Sequence, residues 1–423
     1  VSFIISIPLN VRLGLVFLLG TLLGSLANWG IYRLAWNPRA ISPWILPDPS
    51  APRRRFWDRI PVLGWLGLRR EANLYGAGFW IRPMVLELCT GFGFAALYWW
   101  EMSGGLLPIE LRNQLHPVAW PILHAQFAAH LLLITWMLTA SFIDFDEMII
   151  PDTITVSGTL IGLLMAAAWP QSLLPNFYQF VQPGEVPGVR FLHLASPDAW
   201  PEMLSGGIPF YESLALGLAC WWLWCVAIMT RTWYSRHGWR RALQLSLARL
   251  VRDPSTYRIL KMAMMGTLAI TLVWYRGGPD WQGLLSALVG MAIGGGLIWS
   301  VRIVGRVALG REAMGFGDVT LMAMLGTFLG WQSMLLVFFL APIAGLLIGV
   351  IRLILFRDRE MPYGPFLCLA SLVLIVCWDQ IWHGTVSIFD LGWIILMVMV
   401  FCLLLMGVML GIWRLTLSLC SKK

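Results

Sequence analysis

Too few charged side chains are present to cover a water-soluble fold: Asp, Glu, Lys and Arg make up only 12% of the chain. A soluble domain carries about twice that share, because something polar has to meet water. The shortage excludes a protein whose whole surface is wet. Cysteine is also sparse and badly placed for cross-linking. None of the seven (Cys89, Cys220, Cys225, Cys368, Cys377, Cys402 and Cys420) belongs to a CxxC pair, and most lie in apolar runs. That spacing excludes a disulfide frame and a zinc site, and the thiols read as small buried hydrophobes. Six histidines show no HExxH or other ligand spacing, so a zinc protease has no support. No internal repeat is visible, which removes the basis for an inverted-repeat transporter. The chain opens with Val1 and carries no small-residue cleavage site after its first apolar run, so that run is expected to be a retained span.

Apolar residues fill the space that charge leaves. They make up 58% of the chain, and mean hydropathy is +0.73. The 25 tryptophans include the pairs Trp99-Trp100 and Trp221-Trp222 beside expected helix ends, which fits an aromatic belt at the headgroup layer. Apolar runs long enough to cross a bilayer number eleven, at approximately 13–35, 84–100, 122–143, 153–169, 211–230, 262–275, 284–301, 318–331, 333–355, 364–378 and 391–413. The fold class is therefore an all-α, polytopic membrane protein. Of the 30 Lys and Arg residues, 26 fall in the loops 33–82, 231–261, 302–311 and 352–359 and in the C-terminal tail. All of these lie on one side, and the positive-inside rule makes that side cytoplasmic. The N-terminus is then external, the C-terminus cytoplasmic and the Pro- and Gly-rich segment 170–210 an external loop. The net charge of +8 is read as topology control and attraction to anionic lipid, not as a nucleic-acid surface.

Carboxylates at the ends of membrane helices are costly unless paired, solvated or protonated, which makes them functional candidates. Asp144 ends one span, and Pro151-Asp152 starts the next, a proline and an acid suited to a first helical turn. Asp318 follows Gly315-Phe316-Gly317 and opens an apolar span; the two glycines allow close backbone approach or a positive φ. Either acid alone reads equally well as a hydrated hairpin residue or a helix cap. Together they stand at the same expected depth, at the cytoplasmic edge, although 174 residues separate them. Two such carboxylates that meet share a proton and can activate water against a peptide carbonyl, with no metal and no cofactor.

Five stretches resemble, in order, the prepilin peptidases, GxGD-type membrane aspartic proteases. Gly24-Ser25-Leu26-Ala27-Asn28 with Ile31-Tyr32-Arg33-Leu34 looks like the family's GSFLN and IYRLP, and Asp58 to Leu66 looks like DNIPVLSWL. Asp144 with Pro151-Asp152 fits Asp-x6-Pro-Asp, Gly315 to Asp318 fits GxGD, and Met361 to Phe366 is similar to IPFGPF. The resemblance implies that Asp144 and Asp318 are catalytic, with Pro151, Asp152, Gly315 and Gly317 supporting them. It also implies a prepilin or pseudopilin substrate whose basic leader, preceding an apolar helix, is cut at the cytoplasmic face of the inner membrane. Type IV pilus assembly and protein secretion are the settings it implies.

The chain departs from that family in several places. Ala72 and Tyr75 hold the positions of a cysteine pair, no cysteine precedes Asp58, and Thr320 stands where the family has lysine. No zinc is expected, and the methyltransferase activity of bifunctional members is left open. The chain divides into 1–102 with its basic loop 37–82, the hairpin 122–169, an external loop with an inserted helix pair over 170–275, the GxGD region 284–378 and an extra helix in 391–423. Asp146 and Glu147 read as hydrated or capping groups beside Asp144, Arg82 is expected to pair with Glu87, and the cluster Arg53-Arg54-Arg55 reads as topological. Two other functions fit the sequence: a catalytically silent relative that binds pilin-like helices, and a solute carrier using the carboxylates for proton coupling.

Overall fold

The computed structural model of the protein describes residues 6–39, 41–45, 49–108, 119–177, 189–229, 248, 252–310, 312, 314–356 and 362–420. Val1, most of the basic linker expected at 231–261, the loop cations Arg357 and Arg359, and residues 421–423 lie outside them. Among the described residues the long elements are α1 Leu9–Leu34, α2 Ile81–Met102, α3 Ala119–Glu147, α4 Asp152–Ala168, α5 Tyr211–Ala227 and α6 Pro254–Arg276. They continue with α7 Gly278–Leu309, α8 Phe316–Phe356, α9 Gly364–Val376, α10 Trp378–Phe389 and α11 Trp393–Cys420. Six helices are long and apolar enough to cross a membrane, or seven if the sharply bent pair α9–α10 is one broken span; α4 and α5 are shorter apolar helices. The protein is a mostly helical, multi-pass membrane protein.

Helix α8 has 41 residues, about 60 Å if straight and twice the depth of a hydrocarbon core. It is not straight. Gly330 is non-helical, with φ 79° and ψ 168°, a conformation open to glycine. Gly290 of α7 abuts both Gly326 and Gly330, and one turn further on Gly294 abuts both Met322 and Met334. Those paired contacts require the chain to reverse at Gly330, so α8 is two antiparallel arms pressed against α7.

Helix α4 fixes the direction of the first arm. Gly158 meets Met324, and one turn along Gly162 meets Thr327 and Phe328. The two helices therefore run in parallel, and their starts, Asp152 and Asp318, share one end of the bundle. A short turn returns the chain from the end of α3 to α4, so Asp144 lies at that end too. Met148, just past the last residue of α3, has a φ of 54° and donates its amide to the Asp144 carbonyl, ending the helix without a glycine.

The opposite end is closed by residues 170–177 and 189–210, which are more ordered than the Pro and Gly content of the segment suggests. Strands β1 Pro175–Phe177 and β2 Val189–Phe191 pair antiparallel, with Asn176 opposite Arg190. Gln332, just past the reversal, donates to the carbonyls of His193 (2.8 Å) and Ser196 (3.1 Å). Burial, reinforced by Arg190, holds the His193 imidazole down to about 4, so it sits there neutral. Trp378 and Trp382 of α10 bond the Pro175 carbonyl (2.7 Å) and the Asn176 side chain (3.2 Å). Helix α10 bends away from α9 by 96° and was not visible as an apolar run.

The tryptophans correct the aromatic-belt reading in part. Trp99 and Trp393 are exposed, but Trp65, Trp221, Trp281 and Trp378 are fully buried. Trp221 donates to the Ala263 carbonyl (2.9 Å), which ties α5 to α6, and Trp281 donates to Leu204 (3.0 Å). An indole can enter a core because a backbone carbonyl satisfies its single N–H.

Near the Asp144 end, the loop between α1 and α2 is bound by carboxylates, and two expected roles change. Glu87 does not pair with Arg82. It is completely buried and accepts from Asn28 of α1 (3.2 Å), the Trp65 indole (2.8 Å) and the Val62 amide. Val62 has a positive φ of 64° and sits in a strained γ-turn closed by Leu63 N–H on the Pro61 carbonyl. Nor is the cluster Arg53-Arg54-Arg55 merely topological. Arg54 makes a two-pronged pair with buried Glu71 (2.9 and 2.8 Å) and also donates to the carbonyls of Ser42 and Ile45. Arg70 pairs with Asp58, which in turn accepts the Arg55 amide.

Candidate active site

Asp144 and Asp318 reach the same place from different elements. Asp144 lies in the last turn of α3 and Asp318 in the first turn of α8, and both are buried, with 5% and 7% of their surface exposed. They lie within Coulombic range of each other, and both act on the Cys368 thiol of α9. Ser141, one turn before Asp144, hydrogen-bonds that thiol and ties α9 to α3 just inside the carboxylates. Tyr363, at the start of α9, is also within electrostatic reach of Asp318.

Local backbone explains how each carboxylate is held. The helix starts at Phe316, so Asp318 is not the N-cap; it reaches back to the amide of Gly315, as an acid in the first turn does in a capping box. The backbone amide of Gly364 points at the Asp144 carboxylate, whose Oδ2 is buried without a hydrogen-bond partner among the described residues.

The glycines divide by role. A Cβ at Gly317 would lie 2.9 Å from Cβ of Ile150 and against its backbone, so that glycine lets the α3–α4 turn close onto α8. Gly315 has neither constraint: its φ is not positive, and a Cβ there would stand 3.5 Å from Asp318 Oδ2, an ordinary contact. Gly364 was not singled out by the sequence. A Cβ on it would sit 2.6 Å from Asp144 Oδ2 and 2.7 Å from Ile150 Cδ1. The segment Met361 to Phe366 carried the only signal that could have found it. Ile150, buried between the two glycines, had no signal at all. Pro151 caps α4, and Asp152 is its exposed first residue.

Asp146 and Glu147 are not simply hydrated. Both carboxylate oxygens of Asp146 accept from a single guanidinium nitrogen of Arg82 (2.9 Å each), and Glu147 accepts the amides of Trp36 (2.7 Å) and Asn37 (3.1 Å). They anchor the end of α3 to α2 and to the exit of α1. Among the described residues no group of three or more His, Cys, Asp or Glu side chains could hold a metal ion. The groups that face one another here are two carboxylates, a phenol, the Cys368 thiol, the Ser141 hydroxyl and backbone amides.

The profile of the Type IV leader peptidase family matches residues 131–184 and 244–350, which include both aspartates, and that of the Bacterial Peptidase A24 N-terminal domain matches residues 18–101. The gap between the two matched pieces contains α5. A prepilin leader peptidase/N-methyltransferase of Aeromonas hydrophila is 31% identical over 160 residues, 35% of this chain and 54% of that protein. Proteins of the same name from Pseudomonas aeruginosa (31% over 165 residues, 35% and 54%) and Pseudomonas putida (32% over 111 residues, 26% and 38%) are also similar. The chain spans about half the length of the curated relatives it matches. No solved structure matches it. The chain belongs to the type IV leader peptidase family.

Proposed function

We propose that this protein is an aspartic endopeptidase that removes the leader of a type IV prepilin or pseudopilin, with Asp144 and Asp318 as its catalytic pair. One observation carries the reading: two buried carboxylates, remote in sequence, converge in a chain that belongs to a peptidase family. Two adjacent buried carboxylates cannot both ionise cheaply, so they hold one proton between them. The ionised member takes a proton from water as the oxygen attacks the scissile carbonyl carbon. The protonated member gives its proton to the carbonyl oxygen. Collapse of the tetrahedral intermediate re-forms the carbonyl, breaks the C–N bond and returns a proton to the leaving amine. Pro151, Asp152 and Gly317 support this pair by shaping the α3–α4 turn and the start of α8, and Gly315 by offering its backbone amide to Asp318. The proposal is confined to the peptidase half of the relatives' name.

The orientation belongs to the same proposal. Taking α8 as two crossings and α10 as lying across the bundle, the helices make eleven spans, with the N-terminus outside and the C-terminus inside. The cation-rich loops flank the carboxylates, which supports placing the site at the cytoplasmic face of the inner membrane.

The test is leader removal from a co-expressed prepilin-like substrate by wild type, Asp144→Asn and Asp318→Asn. Each variant is expected to accumulate and melt normally while losing activity by about a hundredfold or more. Normal processing by either variant removes that aspartate from the pair.

A further inference from the structure

A trough of about 1000 Å³ opens sideways between α2 and α3. Helix α2 lines one wall from Ile81 to Trp100, α3 supplies the floor with Ile134, Leu138 and Phe142, and Leu372 of α9 closes the other wall. The three floor residues are spaced by four and so form one continuous strip along α3. From Ile81 to Trp100 is about 28 Å of helix, close to the thickness of a hydrocarbon core. The lining is almost wholly apolar. Its one charge, Arg82, sits at the end nearest the carboxylates, 5.1 Å above the Phe142 ring and bound to Asp146.

We propose that this trough seats the apolar helix that follows the scissile bond of the substrate; the proposal rests on the peptidase reading above. The trough is continuous with the candidate site. The floor helix α3 carries Asp144 two residues beyond Phe142, and the wall helix α9 begins with Gly364, the residue packed against Asp144. A helix lying in the trough with its N-terminus at that end would be preceded by extended chain passing Arg82 and exposed Phe145. The bond just before the helix would then pass between the end of α3 and the start of α9, where the carboxylates are. In a bilayer no hydrophobic force selects one helix over lipid, so the recognition is close packing along a preformed face.

Gly93 makes this testable. It lines the trough, and a Cβ there would meet nothing within 4 Å, so Gly93→Phe fills the space without displacing the fold. Gly14→Phe on α1, equally open but away from the trough, is the control. The full chain in lipid vesicles is assayed on an intact prepilin-like substrate and on a soluble peptide ending a few residues beyond the scissile bond. Gly93→Phe is expected to raise KM for the intact substrate about tenfold and to leave the peptide within about twofold, while Gly14→Phe changes neither. Wild-type kinetics of Gly93→Phe on the intact substrate overturn the proposal, as does equal slowing on both substrates. A second arm places a photo-crosslinking amino acid at position 93 in the Asp144→Asn protein. An adduct with the substrate's apolar helix is expected; an adduct with lipid alone overturns the proposal. Failure of the peptidase reading itself would show separately, as wild type cutting neither substrate.

Discussion

Under the proposed catalytic role, a few ångströms around Ile150 set where the Asp144 carboxylate can sit. At Gly364 an added methyl would meet only the tips of flexible groups, Asp144 Oδ2 and Ile150 Cδ1. Both can move aside at little cost in stability, but the carboxylate then leaves its place, and misplacement by about 1 Å can cost a hundredfold in rate. Gly364→Ala is therefore expected to lower kcat at least tenfold, to roughly a tenth of wild type or less, with little change in melting temperature. Gly315→Ala, which adds an ordinary contact, is expected to stay within about twofold of wild type. The two glycines frame the same site, yet a kinetic comparison separates them, and equal losses at both would refute this account of Gly364. The aspartates stood out in the sequence because a membrane charge is conspicuous. Gly364 and Ile150 did not, because a glycine or an isoleucine in an apolar chain looks like any other until its neighbour is known.

Among the elements, the loop between α1 and α2 shows how a segment without cysteine or metal ligands is held. Arg54 binds Glu71 with both prongs of its guanidinium and two carbonyls besides, with the pair almost wholly out of water. Removing one partner of such a pair strands the other, at a cost of about 3–5 kcal/mol, whereas replacing both by apolar groups is much milder. Arg54→Met and Glu71→Leu are each expected to lower the melting temperature markedly, and the double variant to recover part of the loss. Additive losses in the double variant would mean that the two side chains act independently. The sequence showed three adjacent arginines in a basic loop, and the positive-inside rule accounted for all of them. What set Arg54 apart was a carboxylate 17 residues away, which periodicity cannot reveal. Residues 170–177 and 189–210 are similar: Pro and Gly mark turns, but the contacts from Gln332 and Trp378 that hold His193 and Pro175 come from beyond the reversal at Gly330.

For the molecule as a whole, orientation is the quantity to test. With the native cysteines replaced, Met203→Cys in the loop before α5 and Trp57→Cys in the loop before α2 each give an exposed thiol. A membrane-impermeant maleimide is expected to label Met203→Cys in intact cells and Trp57→Cys only after permeabilisation; the reverse pattern would invert the topology. Hydropathy and cation placement state this expectation from the sequence alone, because desolvating a charge costs the same wherever the residue lies along the chain. Composition likewise determined the class, a helical membrane protein, since lipid leaves backbone groups no partner but one another. Only the tertiary structure decided which acids come within Coulombic range of each other. Asp318 approaches Asp144 because the first arm of α8 runs parallel to α4 and Gly317 lets Ile150 in, while Asp146 and Glu147, closer to Asp144 in sequence, are drawn off by Arg82 and by the exit of α1. Proximity along a chain is fixed by covalent bonds; proximity in space is fixed by which helix faces can pack.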